Sequence, residues 1–308
     1  MRLLHPVKNT RRAGLTLVEL VVVLFILVLL ATVAVTSTDG LIDQSRHDAT
    51  RASMTAWEEA LIGPKGERLP DGSPWIRGFV ADVGRLPVVL GDGSTDQELW
   101  TKPDALPAFA IASPAGDAEV RLPAGWRGPY LQLGVGKTRF RDGWDGAFEF
   151  RKADGAVAIA GDAAAILRSL GAGGTPGGVG YDADLSVTIH SSIAPMEGPR
   201  HLGQLTFRTV LPSPVPAGSS VVLRLYGPVN GALQTIAQWD AAAAAGAEIV
   251  LPAGGSYPAT IGPRAVRAYL VTGGIPGSED PIGAAPRSAI VPVTVVEGGL
   301  PEVRVEIP

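Results

Sequence analysis

The stretch RRAGLTLVELVVVLFILVLLATVAV, from Arg11 to Val35, decides how the rest of the chain is read. Its apolar run, Leu15 to Val35, has about the length needed to cross a hydrocarbon core as a helix. Glu19 interrupts it, and a carboxylate at membrane depth costs roughly 2.5–3.5 kcal/mol even on lenient insertion scales, so a partner is required. The nearest is a new α-amino group. A cut between Gly14 and Leu15 would make Glu19 the fifth residue of the mature chain. In a staggered bundle of such helices, one subunit's Glu19 would then meet the next subunit's Leu15 ammonium, and two costs would become one ion pair.

Gly14-Leu15-Thr16-Leu17-Val18-Glu19-Leu20 resembles the class III signal of type IV pilins and pseudopilins. The resemblance implies that prepilin peptidase cuts after Gly14 and methylates the amine of Leu15, and that Glu19 serves assembly. Two positions depart from the pattern: Leu15 replaces the usual phenylalanine, and Thr36 stands where many relatives place a proline. A cleavable secretory signal explains the run less well, because such signals have 7–15 apolar residues and a small-residue cleavage site. An ordinary signal anchor accounts for the span but not for Glu19 at that offset from a glycine.

The chain has 308 residues, 39 of them Gly and 26 Pro, with 46% hydrophobic and 18% charged side chains, which describes short strands and many turns after an initial helix. Residues 1–14 carry Arg2, Lys8, Arg11 and Arg12 and no acid. By the positive-inside rule the N-terminus is cytoplasmic and everything after Val35 is exported, to the periplasm in a bacterial inner-membrane protein. Removing that leader would leave 22 basic against 30 acidic side chains, or −8, a poor charge for binding nucleic acid. Without cysteine, neither disulfides nor thiolate metal sites can hold the exported part.

Beyond the span, residues 36–62 continue as a helix with Leu41, Ser45, Ala49, Ala52, Ala56, Leu61 and also Trp57 as the candidate packing stripe, ended by Gly63-Pro64. A turn-rich head follows over 63–185. GFVADVGRLP (Gly78 to Pro87), ELW (Glu98 to Trp100), GWRGPYLQLG (Gly125 to Gly134) and RDGWDGAFEFRKADG (Arg141 to Gly155) resemble pseudopilin segments, the last two those of the major pseudopilin. Asp142-Gly143 and Asp145-Gly146 are tight turns, and the aromatics beside them are placed to pin a hairpin to the helix. AILRSLGAGGTPGGVGYDADL, residues 165–185, resembles the glycine-rich loop that wraps calcium in major pseudopilins, with Gly173 in place of its first aspartate. The resemblance implies Asp182 and Asp184 as calcium ligands. Equally, both can cap turns in a loop without metal.

From Ser186 onward, LSVTIHSS, LGQLTFRTVL, SSVVLRLYG, ALQTIAQW, AEIVLP, RAVRAYLV, SAIVPVTVV and PEVRVEIP are strand-like runs, expected to form an immunoglobulin-like β-sandwich over 186–308. Asn230-Gly231 marks a hairpin. No catalytic constellation emerges. Gly134-Val135-Gly136-Lys137-Thr138 lacks the first glycine of a phosphate loop, since that position is Leu131. The four histidines show no metalloprotease spacing, and no nucleophile elbow is present. Six tryptophans read as core or turn anchors.

The expectation is therefore an α+β protein and not an enzyme: leader 1–14, helix 15–62 with a membrane span at 15–35, pilin-like head 63–185 on a small antiparallel sheet, and a β module. The resemblance implies a structural subunit of a type II secretion pseudopilus. Its partners would be prepilin peptidase, other pseudopilin subunits, an inner-membrane assembly platform, and a secretin or secreted cargo. The alternative is a type IV minor pilin whose β module is adhesive.

Overall fold

The computed structural model describes residues 16–70, 72, 74–90, 97–137, 139–190, 199–253, 255–282, 285–299 and 302–308, with backbone alone for 33–39 and 97. Helix α1 (Leu17–Ile62) runs unbroken through Thr36 and Gly40, about 69 Å at 1.5 Å per residue. It stops where expected, at Gly63, whose φ of 81° suits glycine. A short helix α2 (Phe79–Val83) and strands β1 (Ala110–Ala112), β2 (Leu122–Ala124), β3 (Glu149–Arg151) and β4 (Ile166–Ser169) follow. Next come β5 (Leu185–Thr188), β6 (Leu202–Leu205), β7 (Phe207–Val210), β8 (Ser219–Val229) and β9 (Ala232–Ala242). Strands β10 (Glu248–Leu251), β11 (Tyr257–Thr260), β12 (Gly262–Thr272), β13 (Val291–Val295) and β14 (Val303–Glu306) complete the chain.

The head is an antiparallel sheet, β3–β4–β5, packed on the last third of α1. The stripe that α1 buries is Thr50, Met54, Trp57 and Leu61, spaced 4, 3 and 4 residues apart. This corrects the expected stripe. Leu41, Ser45, Ala49, Ala52 and Ala56 are exposed, and only Trp57 and Leu61 were placed correctly. The large side chains decide the matter, because Met54, Trp57 and Leu61 bury more area than alanines on the opposite face could. Trp57 meets Phe150 at a centroid separation of 6.4 Å, and Phe79, Leu99, Phe148, Leu167 and Ile189 complete the core. LSVT belongs to this head sheet as β5, paired to β4, and does not open the β module.

The module has three sheets around one core: β13–β12–β8–β9, β10–β7–β14 and β11–β6, with β6 and β7 separated by Thr206 alone. Val221, Leu223, Leu225, Val266, Ala268 and Leu270 face the shared core with Leu205, Phe207 and Val305. Strand order and shared core establish an all-β module and do not single out the expected immunoglobulin-like fold. Asn230 (φ 49°) and Gly231 (φ 74°) make the expected tight turn between β8 and β9.

The outer face of the β8–β12 sheet is also covered. Tyr226, Leu233 and Ala265 pack under Val120, Leu122 and Ala124 of the head's β1–β2 excursion, while Val222 and Tyr269 lie under Ile282. Buried Arg267 donates to both oxygens of Asp117 at 3.1 and 3.0 Å, and Tyr269 Oη donates to the same carboxylate. Burial pushes the Asp117 carboxyl up, but these bonds outweigh it and hold its pKa below the ordinary value.

Head and module meet a second time at α2. Gly231 N donates to Val83 O at 2.9 Å, and Arg85 Nε to Asn230 Oδ1 at 2.8 Å. A Cβ on Gly84 would lie 1.8 Å from Pro228 O, and its φ is 86°. Gly84→Ala should therefore lower the melting temperature of the whole protein, since overpacking of this kind costs about 1–3 kcal/mol before backbone strain is added; circular dichroism melts measure it.

A third seam joins α1 to the module. Arg200 pairs with Glu58 of α1 and, at 3.2 Å, with Glu297. Beside it His190 and His201 stack edge to face, 5.5 Å between centroids. Burial, helped by the neighbouring His190 charge, pushes His201 down from 6.5 to about 4. A histidine depressed in the folded state contributes stability above its unfolded pKa and loses it as pH falls. The melting temperature should thus drop between about pH 6.5 and about pH 4, and His201→Gln should flatten part of that slope.

Candidate functional site

Helix α1 begins with Thr16 as N-cap. Glu19 N donates to Thr16 Oγ1 at 3.2 Å, while Thr16 N and Thr16 Oγ1 each donate to Glu19 Oε2 at 2.9 Å. This is a capping box, in which residue N3 returns the favour of the cap and satisfies two orphan donors. Glu19 therefore has a partner within its own helix, a role legible in the spacing Thr16-x-x-Glu19 and additional to the expected pairing with a neighbouring subunit's Leu15 amine. Gly14 and Leu15 lie outside the described residues.

Every apolar side chain from Leu17 to Leu30 is exposed. Among the described residues no helix is long and apolar enough to cross a membrane. The described side chains of this run stop at Thr32, roughly 24 Å from its start at 1.5 Å per residue, so the expected span of 15–35 extends past them at both ends. A contiguous exposed apolar surface of this size marks an interaction site.

The head grips the helix through the 141–147 turn. Asp142 Oδ1 accepts from Trp144 N at 3.0 Å and Gly146 N at 2.7 Å; Asp142 Oδ2 accepts from Ser169 Oγ at 2.6 Å. The turn so shaped sets Gly143 directly on α1, with Gly143 N donating to Thr50 Oγ1 at 2.9 Å. A Cβ there would fall 2.0 Å from Arg46 O. Trp144 and Tyr181 then flank His47 edge-on, at 6.4 and 5.9 Å. The expected pinning of a turn to the helix is thus carried by Gly143 and Thr50 as much as by aromatics. GFVADVGRLP and ELW also come together. Buried Glu98 takes Arg85 in a two-point pair at 2.7 and 2.9 Å and accepts from Val88 N, and its carbonyl accepts from Trp126 Nε1.

Asp182 ends a 3₁₀ turn (Gly180–Asp182) and is exposed. Asp184 Oδ2 accepts from Gly177 N at 3.0 Å and from Arg168. These residues do not fit a calcium ion, which takes six to eight oxygens. One carboxylate is already held by a guanidinium, and among the described residues no third acidic or imidazole group joins the pair. The apparent phosphate-loop remnant is an exposed turn, with Lys137 3.7 Å from Asp145.

Residues 9–35, less than a tenth of the chain, match the family model described as the prokaryotic N-terminal methylation motif. That motif is a structural one, of the type IV pilin kind, and implies a membrane-anchored precursor processed by prepilin peptidase. No curated protein matches the chain.

Asp142→Ala would strand three donors, one of them the buried Ser169 hydroxyl. At about 1–3 kcal/mol for each buried group left unsatisfied, the head should loosen from α1. Faster amide exchange at Thr50–Leu61 would report it; unchanged exchange would mean that the turn is not what holds the helix.

Proposed function

We propose that the chain is a structural subunit of a type II secretion pseudopilus. The observation that carries this reading is α1 itself: one continuous helix whose side chains from Leu17 to Ala31 are exposed and, Glu19 apart, apolar, while its last third is locked to a head. A subunit that resides in the inner membrane and later packs in a filament needs such a helix, because lipid and neighbouring helices can cover the same surface in turn. Prepilin peptidase cuts after Gly14 and the amine of Leu15 is methylated. The N-terminus is cytoplasmic, and head and module are periplasmic. An assembly platform in the inner membrane then transfers the subunit into the filament beside other pseudopilins.

Support for the secretion class over an adhesive minor pilin comes from the head. The segments that resemble the major pseudopilin, 125–134 and 141–155, are those that join β2 and β3 to α1 and the head core. The β module, fixed to the head along three seams, would travel as one body with it and present a rigid outer surface to the secretin or to cargo.

Glu19 has two duties in this scheme, capping its own helix and neutralising a neighbour's Leu15 amine. Glu19→Ala should leave insertion and cleavage intact and abolish incorporation, read as loss of cross-links between α1 helices in cells that express the remaining filament components. Wild-type cross-linking of the variant would contradict the assignment.

A further inference from the structure

The 170–184 loop leaves β4 at Ser169 and returns to β5 at Leu185. Its ends are joined by charge. Arg168, on the central strand of the head sheet, stands opposite Glu149 on one side and Ser186 on the other. Its NH2 contacts Asp184 Oδ2, and its NH1 lies 3.6 Å from Glu149 Oε2. Arg151 NH2 holds that same Glu149 oxygen at 2.9 Å. Four side chains of alternating sign, Arg151, Glu149, Arg168 and Asp184, thus cross the sheet to the loop's closing residue. Arg168 and Asp184 are only 16% and 26% exposed, so water and salt screen them less than an open surface pair.

We infer that the Arg168 guanidinium is the resident cation of this loop, closing it on an internal ion pair in place of a divalent metal. Calcium at this position would have to displace the guanidinium from Asp184 Oδ2 or share the carboxylate with it, against the repulsion of two cations. The other oxygen, Oδ1, is buried without a hydrogen-bond partner, and with the Asp182 carboxylate it offers side-chain oxygens from two residues where the ion takes six to eight ligands. Gly173 removes a further one: a Cβ there would sit 3.5 Å from Asp182 Oδ1, so an acidic side chain at 173 would adjoin Asp182, and this chain offers none. The remaining contacts close the loop without metal. Gly171 N donates to Ser169 Oγ at 3.2 Å, Ala172 N to Tyr181 O at 2.8 Å, and Gly177 N to Asp184. The Asp184 pKa lies below its ordinary value, as burial is outweighed by the bonds from Gly177 and Arg168.

This inference is independent of the filament reading, since it concerns only how the head closes. Its test is the melting temperature of the full-length protein in detergent, with EGTA and with millimolar calcium chloride at matched ionic strength. The parent should melt at the same temperature in both. Arg168→Gln should melt several degrees lower in both, and Arg168→Lys, which keeps the charge, should recover part of the loss. A calcium-dependent rise in the parent would overturn the inference without any variant, and so would an Arg168→Gln protein as stable as the parent.

Discussion

A helix that buries only its last third against its own fold leaves the remainder to be covered by something else. From Leu17 to Leu30 the apolar side chains of α1 face outward. At about 25 cal/mol per Å² of apolar surface, leaving them in water would oppose every favourable contact the head makes. The structure is built around that constraint. The covered third carries Met54, Trp57 and Leu61, and the boundary is fixed by a glycine, Gly143, seated on the carbonyl of Arg46. What the exposed surface meets is set by chemistry: lipid first, and in the proposed filament other helices of the same kind.

Head and module are joined because they exchange pieces. The β1–β2 excursion of the head covers the outer face of a module sheet, Arg267 and Tyr269 of that sheet grip Asp117 of the excursion, and the β8–β9 turn rests on α2. Arg264 is the extreme case. Its guanidinium, 1% exposed, donates to Ala81 O, Ile261 O, Pro263 O and Thr260 Oγ1, and burial brings its pKa down to about 9, still a cation at neutral pH. Its contact with Ala81 O, at 3.4 Å, reaches from β12 to α2, while its other acceptors lie within the module.

Much of this was legible in the residues. The unbroken apolar run, the stop at Gly63-Pro64, the Asn230-Gly231 turn and the alternating final strand, with Val305 and Ile307 buried and Arg304 and Glu306 exposed, follow from periodicity and turn chemistry. Three features did not. The packing stripe of α1 was misjudged because alanines at near-helical spacing imitate a core face, whereas the head chose the bulky positions. Strand β11 was overlooked because Pro258 demotes the run YPAT. Arg224 and Arg267 are buried by carbonyls and carboxylates from distant segments, and no local pattern records such long-range partners. The same holds for Arg168, whose importance depends on a residue sixteen positions away returning to it.

The central claim is that a single cut after Gly14 turns the exposed α1 from a membrane anchor into a filament helix. Its most direct test is the intact mass of the protein recovered from membranes, with and without co-expressed prepilin peptidase. The account predicts a peptidase-dependent species beginning at Leu15, heavier by one methyl group when modification is complete. A chain that still begins at Met1 in the presence of active peptidase would contradict it and leave α1 as a plain membrane anchor.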